Sequence, residues 1–483
     1  MPEQILLLKT TSIRRQPLTL PGSASKAQNA KGQSSGALTA LQTPAPEAGP
    51  STASSVRQVR SDEPDDTAQE VPPGEAFPAV DKGRNGWVIV LSCAVMNFFF
   101  SGFSGSWGVL QAALLAAPEN QTHPAPASTF AWVGSLSLAL TVGCGLLGVR
   151  LLPVLGAKKV TLLGELLFIT GVVASGFTTG HLDGLFVTSG ALTGTGTSLL
   201  FMITNCMPTQ YFSGSAGGRL GLANGVIKLG GGVGAAVFSV ALEAMNRRLG
   251  IAWTFRIFGL LGLAVAVPAA CLIREKMPFR RAPLVDVSML RCLPFVAVCV
   301  SSMIYVFALY IPPYYLPLFA QSIGLSSAEA ALVTAGYNLA AAFGRFAAGP
   351  LCDWIGALNS LLLIMVLNAI TLLAIWPVST APAPLIVFAL LNGVANGGFF
   401  TAMPSVFSGF FEPSKGTMAV STGSTGWTLG YLLGTPIAGY LFQAASGSGD
   451  ISPSAYRPAI FYAGGDEIRR VVAENSDSRW SPE

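Results

Sequence analysis

From residue 86 to residue 465 the sequence is a succession of apolar runs. They fall near 86–115, 129–152, 160–179, 184–206, 218–243, 252–273, 292–317, 328–351, 358–377, 383–409 and 416–442, with a short twelfth at 456–465. Runs of about 20 residues cross a hydrocarbon core of about 30 Å, and the first eleven meet that length. The breaks between them carry Pro, Gly and charge, the residues that end helices. The expected fold class is an all-α membrane protein. Composition agrees: 51% of the 483 residues are hydrophobic and only 11% are charged, where a soluble domain carries about 25%. With a mean hydropathy of +0.55, the chain is not the two or three soluble domains that its length would allow.

The net charge of +4 is small for so long a chain, so no nucleic-acid partner is expected. The seven cysteines (Cys93, Cys144, Cys206, Cys271, Cys292, Cys299 and Cys352) lie in or beside apolar runs, and none forms a CxxC pair. That excludes a disulfide framework or a zinc site as the reading. They read as small packing residues.

Residues 1–80 are rich in Ser, Ala, Pro, Gln and Gly with nearly cancelling charges. Such a segment buries too little apolar surface to offset its ordering entropy, which predicts a disordered cytoplasmic tail. The ILLL near the start is too short for a signal-peptide core. A six-helix bundle is expected over 81–274, a cytoplasmic linker over 275–291, a second bundle over 292–465 and a short tail over 466–483. The charged break Arg274–Arg291 divides the runs six and six. In the twelfth run Asp466, Glu467, Arg469 and Arg470 arrive after about ten residues, half of what a span needs, so the last helix reads as truncated.

Basic residues set the orientation. With the tail inside, the cytoplasmic side receives Arg150, Lys158, Lys159, Arg219, Arg274, Lys276, Arg280, Arg281, Arg291 and Lys415, and the outer loops only Arg247, Arg248 and Arg457. The expectation is a multi-pass protein with its N-terminus in the cytoplasm, in the plasma membrane or a vacuolar or other endomembrane. LLPVLGA (Leu151–Ala157) and LCDWIGA (Leu351–Ala357) stand 200 residues apart, each between the second and third spans of its half. Two parallel six-helix repeats with a midplane cavity between them is a carrier architecture.

Inside the apolar stretch NLAAAFGRFAAGPLCDWIG sits a permanent cation, Arg345. Helical spacing aligns it with Thr334 and Asn338, flanked by Ala341 and Ala342. An arginine at membrane depth costs roughly 2.5–3.5 kcal/mol on insertion scales and faces the protein interior or a wet cavity. A guanidinium there suits a carboxylate, which it holds through two parallel hydrogen bonds; the structural alternative is a pair with Asp353. Lys228, in ANGVIKLGGGVG, lies about 15 Å inside the fifth run, on a face with Gly221, Asn224, Gly231 and Ala235. It would neutralise an anionic substrate, pair with an acid such as Glu165, or snorkel. The neighbouring glycines suit close helix packing.

Softer polar stripes are Asn97, Ser101, Ser104, Gly108 and Gln111 in helix 1, Asn392, Asn396 and Phe399 in helix 10, and Ser421, Thr425 and Thr428 in helix 11. With Asn224 and Tyr305 they supply candidate substrate contacts, or ordinary interhelical hydrogen bonds. Asn120 heads an N-glycosylation sequon, NQT, in the first outer loop. His123 and His181 fall in outer loops, away from any intramembrane proton relay. No phosphate loop, HExxH or nucleophile elbow is present, so no enzyme, metal or cofactor is expected.

Several segments together are similar to the major facilitator superfamily, and within it to the monocarboxylate-porter-like family of the fungal kind. These are Gly86–Trp87 opening helix 1, Tyr211–Phe212, LANGVIKLGGGVG (Leu222–Gly234), PPYYLPLFAQSIGLSSAEA (Pro312–Ala330) and GRFAAGPLCDWIG (Gly344–Gly356). The superfamily loop motif is matched by Gly349, Leu351, Asp353 and Gly356; its first-half copy keeps Gly156, Lys158 and Lys159 but has Pro153 in place of the acid. The resemblance spans roughly Asp81 to Gly465. It implies two pseudo-symmetric six-helix bundles that rock about a central site, with these loop motifs as gates. It also implies a secondary transporter of a small organic anion, in the lipid bilayer, monomeric, with a proton as the candidate coupling ion. Where animal lactate carriers have an Asp four residues before the helix 8 arginine, this chain has Ala341. Their helix 1 lysine falls on Gly105, so only Arg345 carries over. Fungal relatives move varied cargo, including riboflavin and secondary metabolites. The alternatives are thus an exporter of such a metabolite, a carrier of a neutral solute such as a vitamin, or a non-transporting sensor on the carrier fold.

Overall fold

The computed structural model describes residues 84–118, 125–212, 220–276, 279, 287–411, 416–446 and 453–465. The tail 1–80, the Asn120 sequon, most of the linker and residues 466–483 lie outside the described residues. Because a chain in hydrocarbon must satisfy its backbone polar groups internally, the apolar runs all become helices, and no strand occurs among the described residues.

Helix α1 (Arg84–Gly105) resumes after Ser106 as Trp107–Ala116. Next come α2 (Ala127–Gly143, then Gly145–Leu155) and α3 (Ala157–Ser175). Helix α4 runs from Leu182–Leu185 through a π-turn at Phe186–Leu192 into Thr193–Phe212. Helices α5 (Leu220–Leu249) and α6 (Ile251–Cys271) complete the first six. The second six are α7 (Leu293–Leu309, then Ile311–Ser322), α8 (Ser327–Ile355), α9 (Ala357–Ile370, ending in turns through Val378), α10 (Pro382–Gly409), α11 (Gly416–Thr425, then Trp427–Ser446) and a short α12. In α12 the helical residues are 457–465, after a 3₁₀ turn at Pro453–Tyr456. Among the described residues, seven helical stretches are long and apolar enough to cross a membrane by length and composition alone. Helix α8 is not among them because Arg345 and its small neighbours lower the hydropathy, though its 29 residues are ample.

The 200-residue repeat has a backbone counterpart. Gly156 between α2 and α3 has φ 77° and ψ 160°, and Gly356 between α8 and α9 has φ 88° and ψ 152°. Both conformations are closed to a side chain with a Cβ, so the two turns require the glycines that the repeat carries. Helices α1 and α7, equivalent in the two halves, are both broken in mid-course, at Ser106 and at Tyr310. At Ser106 the hydroxyl donates to the carbonyls of Gly102 (2.8 Å) and Phe103 (3.2 Å). After Tyr310, Pro312 and Pro313 have no N–H to continue the ladder.

Glycines set how closely the rods approach. In α5, a Cβ on Gly230 would stand 2.6 Å from the Ala94 carbonyl of α1, and one on Gly234 would overlap the Phe98 carbonyl. Gly232, on the other face, meets Ala342 of α8. One glycine run therefore packs two helices, from opposite halves, against the same rod. Gly344, Gly393 and Gly397 do the same between α8 and α10. Small residues at these crossings are how membrane helices gain van der Waals contact where no hydrophobic driving force exists.

A Leu at such a crossing overpacks it, at a cost of about 1–3 kcal/mol. Gly234→Leu should lower the thermal unfolding midpoint of the detergent-purified protein. Gly349→Leu, at a position with nothing within 4 Å of the added Cβ, should leave that midpoint unchanged.

Candidate functional site

Two seams join the first six helices to the last six, α2 against α11 and α5 against α8. The ends that carry Arg84 and the α2–α3 and α8–α9 turns form the near side, and the opposite ends form the far side. On the far side both seams are zipped. Ser128 donates to Gln443 Oε1 at 2.8 Å, Trp132 Nε1 to the Tyr440 hydroxyl at 3.3 Å, and Ser135 shares a bond with Thr435. Ser327 of α8 donates to Glu243 Oε1 of α5 at 2.8 Å. Between α1 and α7, a Cβ on Gly108 would overlap the Pro313 carbonyl, so the two backbones touch.

Beneath this zip lies a cavity of about 30 Å³ among α1, α5, α7, α8 and α10, room for water. Ser101, Gly105, Gly231, Tyr310, Tyr337, Asn338, Arg345 and Asn396 are in its wall. Asn338 of α8 reaches across the seam, its Nδ2 donating to the Gly105 carbonyl of α1 (3.1 Å) and to Ser239 Oγ of α5 (3.2 Å). Asn396 Nδ2 donates to the Leu309 carbonyl at 2.6 Å. The helical partner of that carbonyl would have been Pro313, which has no N–H, so the amide satisfies a backbone group that the break in α7 frees.

Arg345 has no carboxylate partner among the described residues. Its Nη1 donates to the Lys228 carbonyl of α5 at a long 3.5 Å, its Nε is buried without a partner, and its guanidinium lies 5.3 Å from the Phe400 ring centroid. The phenols of Tyr310, Tyr337 and Tyr431 lie within electrostatic range of it. Lys228 stands one turn nearer the near side, outside the cavity wall. Its Nζ donates to Asn205 Oδ1 at 2.8 Å and lies 4.9 Å from the Phe201 ring centroid. Both cations thus rest on rings, a contact worth about 0.5–2 kcal/mol, and both remain half-buried.

Several expectations need correction. Glu165 does not pair with Lys228: it is fully buried in α3 and neither carboxylate oxygen has a partner. Asp353 does not pair with Arg345; it is exposed, two turns away on the near side. Asn97 is inside the first bundle, donating to the Ile227 carbonyl at 2.6 Å. Asn392 joins α10 to α9, donating to Asn368 Oδ1 (2.5 Å) and Thr371 Oγ1 (2.8 Å). Tyr305 is buried and stacked on Phe399, with centroids 4.3 Å apart. Asn224 is half-buried and outside the cavity wall. The helix 1 stripe is split by the break at Ser106; Ser101 stays at the cavity, whereas Ser104 bonds its own helix and Gln111 donates to the Ala127 carbonyl at 3.4 Å. In the helix 11 stripe, Thr425 and Thr428 bond carbonyls of their own turns.

Among the gate residues, Lys158, Lys159, Asp353 and Gly356 are exposed, and Gly349 and Leu351 are half-buried. The first-half loop, which has Pro153 where the acid belongs, receives a carboxylate from elsewhere. Glu275, after α6, accepts from the Ala157 N–H at the start of α3 at 3.2 Å, where a helix N-terminus favours negative charge. Sequence reading missed Glu275, and also Asn205, Phe201, Tyr310 and Phe400. One signal was present: Phe201 and Phe400 are 199 positions apart, close to the 200-residue offset of the repeat.

The profile of the Major Facilitator Superfamily matches residues 87–314 and 294–465. The aspyridones efflux protein apdF of Emericella nidulans is 29% identical over 82% of this chain and 79% of its own length. Monocarboxylate transporter 13 of Bos taurus is 25% identical over 74% of this chain and 83% of its own. A crystal structure of the nucleoside transporter NupG aligns with a TM-score of 0.65 and 14% identity, over 80% of this chain and 98% of that one. At that identity the likeness shows the fold alone.

The geometry separates structural amides from those in the cavity wall. Asn392→Leu should lower stability by about 1–3 kcal/mol, because Asn368 and Thr371 lose a buried partner. The apparent KM for transported cargo should not change in the same variant, as judged by initial-rate flux in vesicles.

Proposed function

Because this chain belongs to the Major Facilitator Superfamily, and is a multi-pass membrane transporter of that family, we propose that it carries a small organic anion by alternating access. The observation that supports the reading is Arg345, a guanidinium in the wall of the cavity with a buried, unpartnered Nε and no carboxylate within ion-pair distance among the described residues. A fixed cation at membrane depth is costly, and an arriving carboxylate would supply the two parallel hydrogen bonds that the site leaves open. Asn338 would turn with the cargo, since the bonds it makes across the seam must break when the halves rock. Gly105 explains why the family's helix 1 lysine is not needed at this position: a side chain there would press on Ala235 at 2.7 Å. Lys228, on α5 in the same half as Gly105 and opposite Arg345, provides the second cation.

In this reading the near side is cytoplasmic, in accord with the basic residues on it, and the zipped far seams correspond to a state that loads from the cytoplasm. The loop turns at Gly156 and Gly356 would close the near side in the opposite state, with Glu275 and Asp353 released or engaged at the ends of neighbouring helices. Relatives named for efflux, the aspyridones efflux protein and the agnestins efflux protein AgnL12 of Paecilomyces divaricatus, support export as the direction. Export of an acidic metabolite is thus the form that the reading takes. A proton partner and a monomeric carrier complete the proposal.

Arg345→Lys should abolish anion flux while the protein reaches the membrane at normal abundance, because a point charge cannot replace the planar fork. Flux of labelled organic acids from loaded proteoliposomes, with and without a pH gradient, measures this. Unchanged flux in the variant would overturn the proposed anion contact.

A further inference from the structure

Two cations, one from each half, stand at the α5–α8 seam with no carboxylate between them among the described residues. The Arg345 guanidinium bonds the backbone of Lys228 itself, at 3.5 Å, so the two residues are direct neighbours across the seam. Arg345 is close enough for its charge to act on Lys228. Every group that holds them is neutral: Asn205 and the Phe201 ring for Lys228, the Phe400 ring for Arg345. The acids that could have compensated them are engaged or placed elsewhere. Glu165 is sealed inside the first bundle, Asp353 is exposed near the α8–α9 turn, and Glu243 takes Ser327 and Arg247 on the far side. Like charges on neighbouring residues in a poorly solvated seam disfavour one another. An occupant with a single charge would neutralise one cation and leave the other buried and unpaired, the costly arrangement for a desolvated charge.

We propose that the cargo carries two acidic groups, one held by Arg345 and the other by Lys228, so that the bound dianion bridges the two halves on the near-side edge of the cavity. This rests on the reading of the chain as an anion carrier and narrows the cargo from monoacids to diacids. Both side chains are half-buried. The phenols around Arg345 offer further donors to the first acidic group. Lys228, with three donors on a flexible stem, can turn from Asn205 towards the second.

The test uses the full chain in proteoliposomes and two matched probe pairs: succinate against its half-amide succinamate, and phthalate against phthalamate. Each pair keeps size and shape and differs by one negative charge. Equilibrium binding of the radiolabelled probes should favour each diacid at least about tenfold, equivalent to 1.4 kcal/mol. Lys228→Met should reduce each diacid to the affinity of its half-amide, and Lys228→Arg should restore most of the preference. Arg345→Lys should weaken all four probes. Equal affinity for diacid and half-amide, with both still lost in Arg345→Lys, overturns the two-charge inference and leaves the anion reading intact. A diacid preference that survives Lys228→Met in a protein of native elution profile also overturns the inference. Binding indifferent to Arg345→Lys, or no binding of any probe to the folded protein, overturns the anion reading and the inference together.

Discussion

A guanidinium with no carboxylate partner among the described residues, in the wall of a cavity between two helical bundles, is the constraint around which the neighbouring structure is arranged. Solvation at that depth is poor, and the protein compensates only with neutral groups: a backbone carbonyl, an aromatic face and nearby phenols. None of these cancels the charge. The cavity beside it then acquires a physical sense. A charge left uncompensated in a sealed core would be prohibitive, whereas a charge beside an opening can draw in water or a counter-charge.

The seam that holds the cations depends on the absence of side chains. Gly232 brings α8 within contact of α5, while Gly230 and Gly234 on the other face do the same for α1. Without that closeness Arg345 could not reach the carbonyl of Lys228, and Asn338 could not span from α8 to both α1 and α5. The break in α7 contributes in a different way. Two prolines remove N–H groups, the freed carbonyl of Leu309 is taken by Asn396, and Tyr310 is turned to the cavity. Backbone irregularity at membrane depth is tolerated where it lines a cavity, and here a side-chain amide satisfies it.

The polar stripes of the sequence divide once neighbours are known. Asn396 and Asn392 are one helical turn apart, yet the first is at the cavity and the second ties α10 to α9. Asn97, on the same stripe as Ser101, points into its own bundle. Periodicity places residues on a face of about the width of a turn, but a face that wide touches two or three other helices. The same limit explains why Glu165 was a plausible partner for Lys228 and is instead enclosed without one. The missing acid of the first loop motif is a further case: Glu275, over a hundred residues away in sequence, stands at the start of α3.

The run lengths, the charged breaks, the glycines of the two repeated turns and the presence of a cation in an apolar helix were legible in the sequence. Bilayer thickness fixes how long a span must be, positive φ demands glycine, and a buried arginine is conspicuous wherever it sits. These are local rules, satisfied within one helix or one turn. Which amide meets the cavity, which ring lies under which cation, and that Lys228 and Arg345 are neighbours with no acid between them were decided only when the helices packed. Such contacts join residues on different helices, up to 117 positions apart for Lys228 and Arg345, and they are set by the crossing of rods whose distance the glycines control. No periodicity along one helix records who stands opposite.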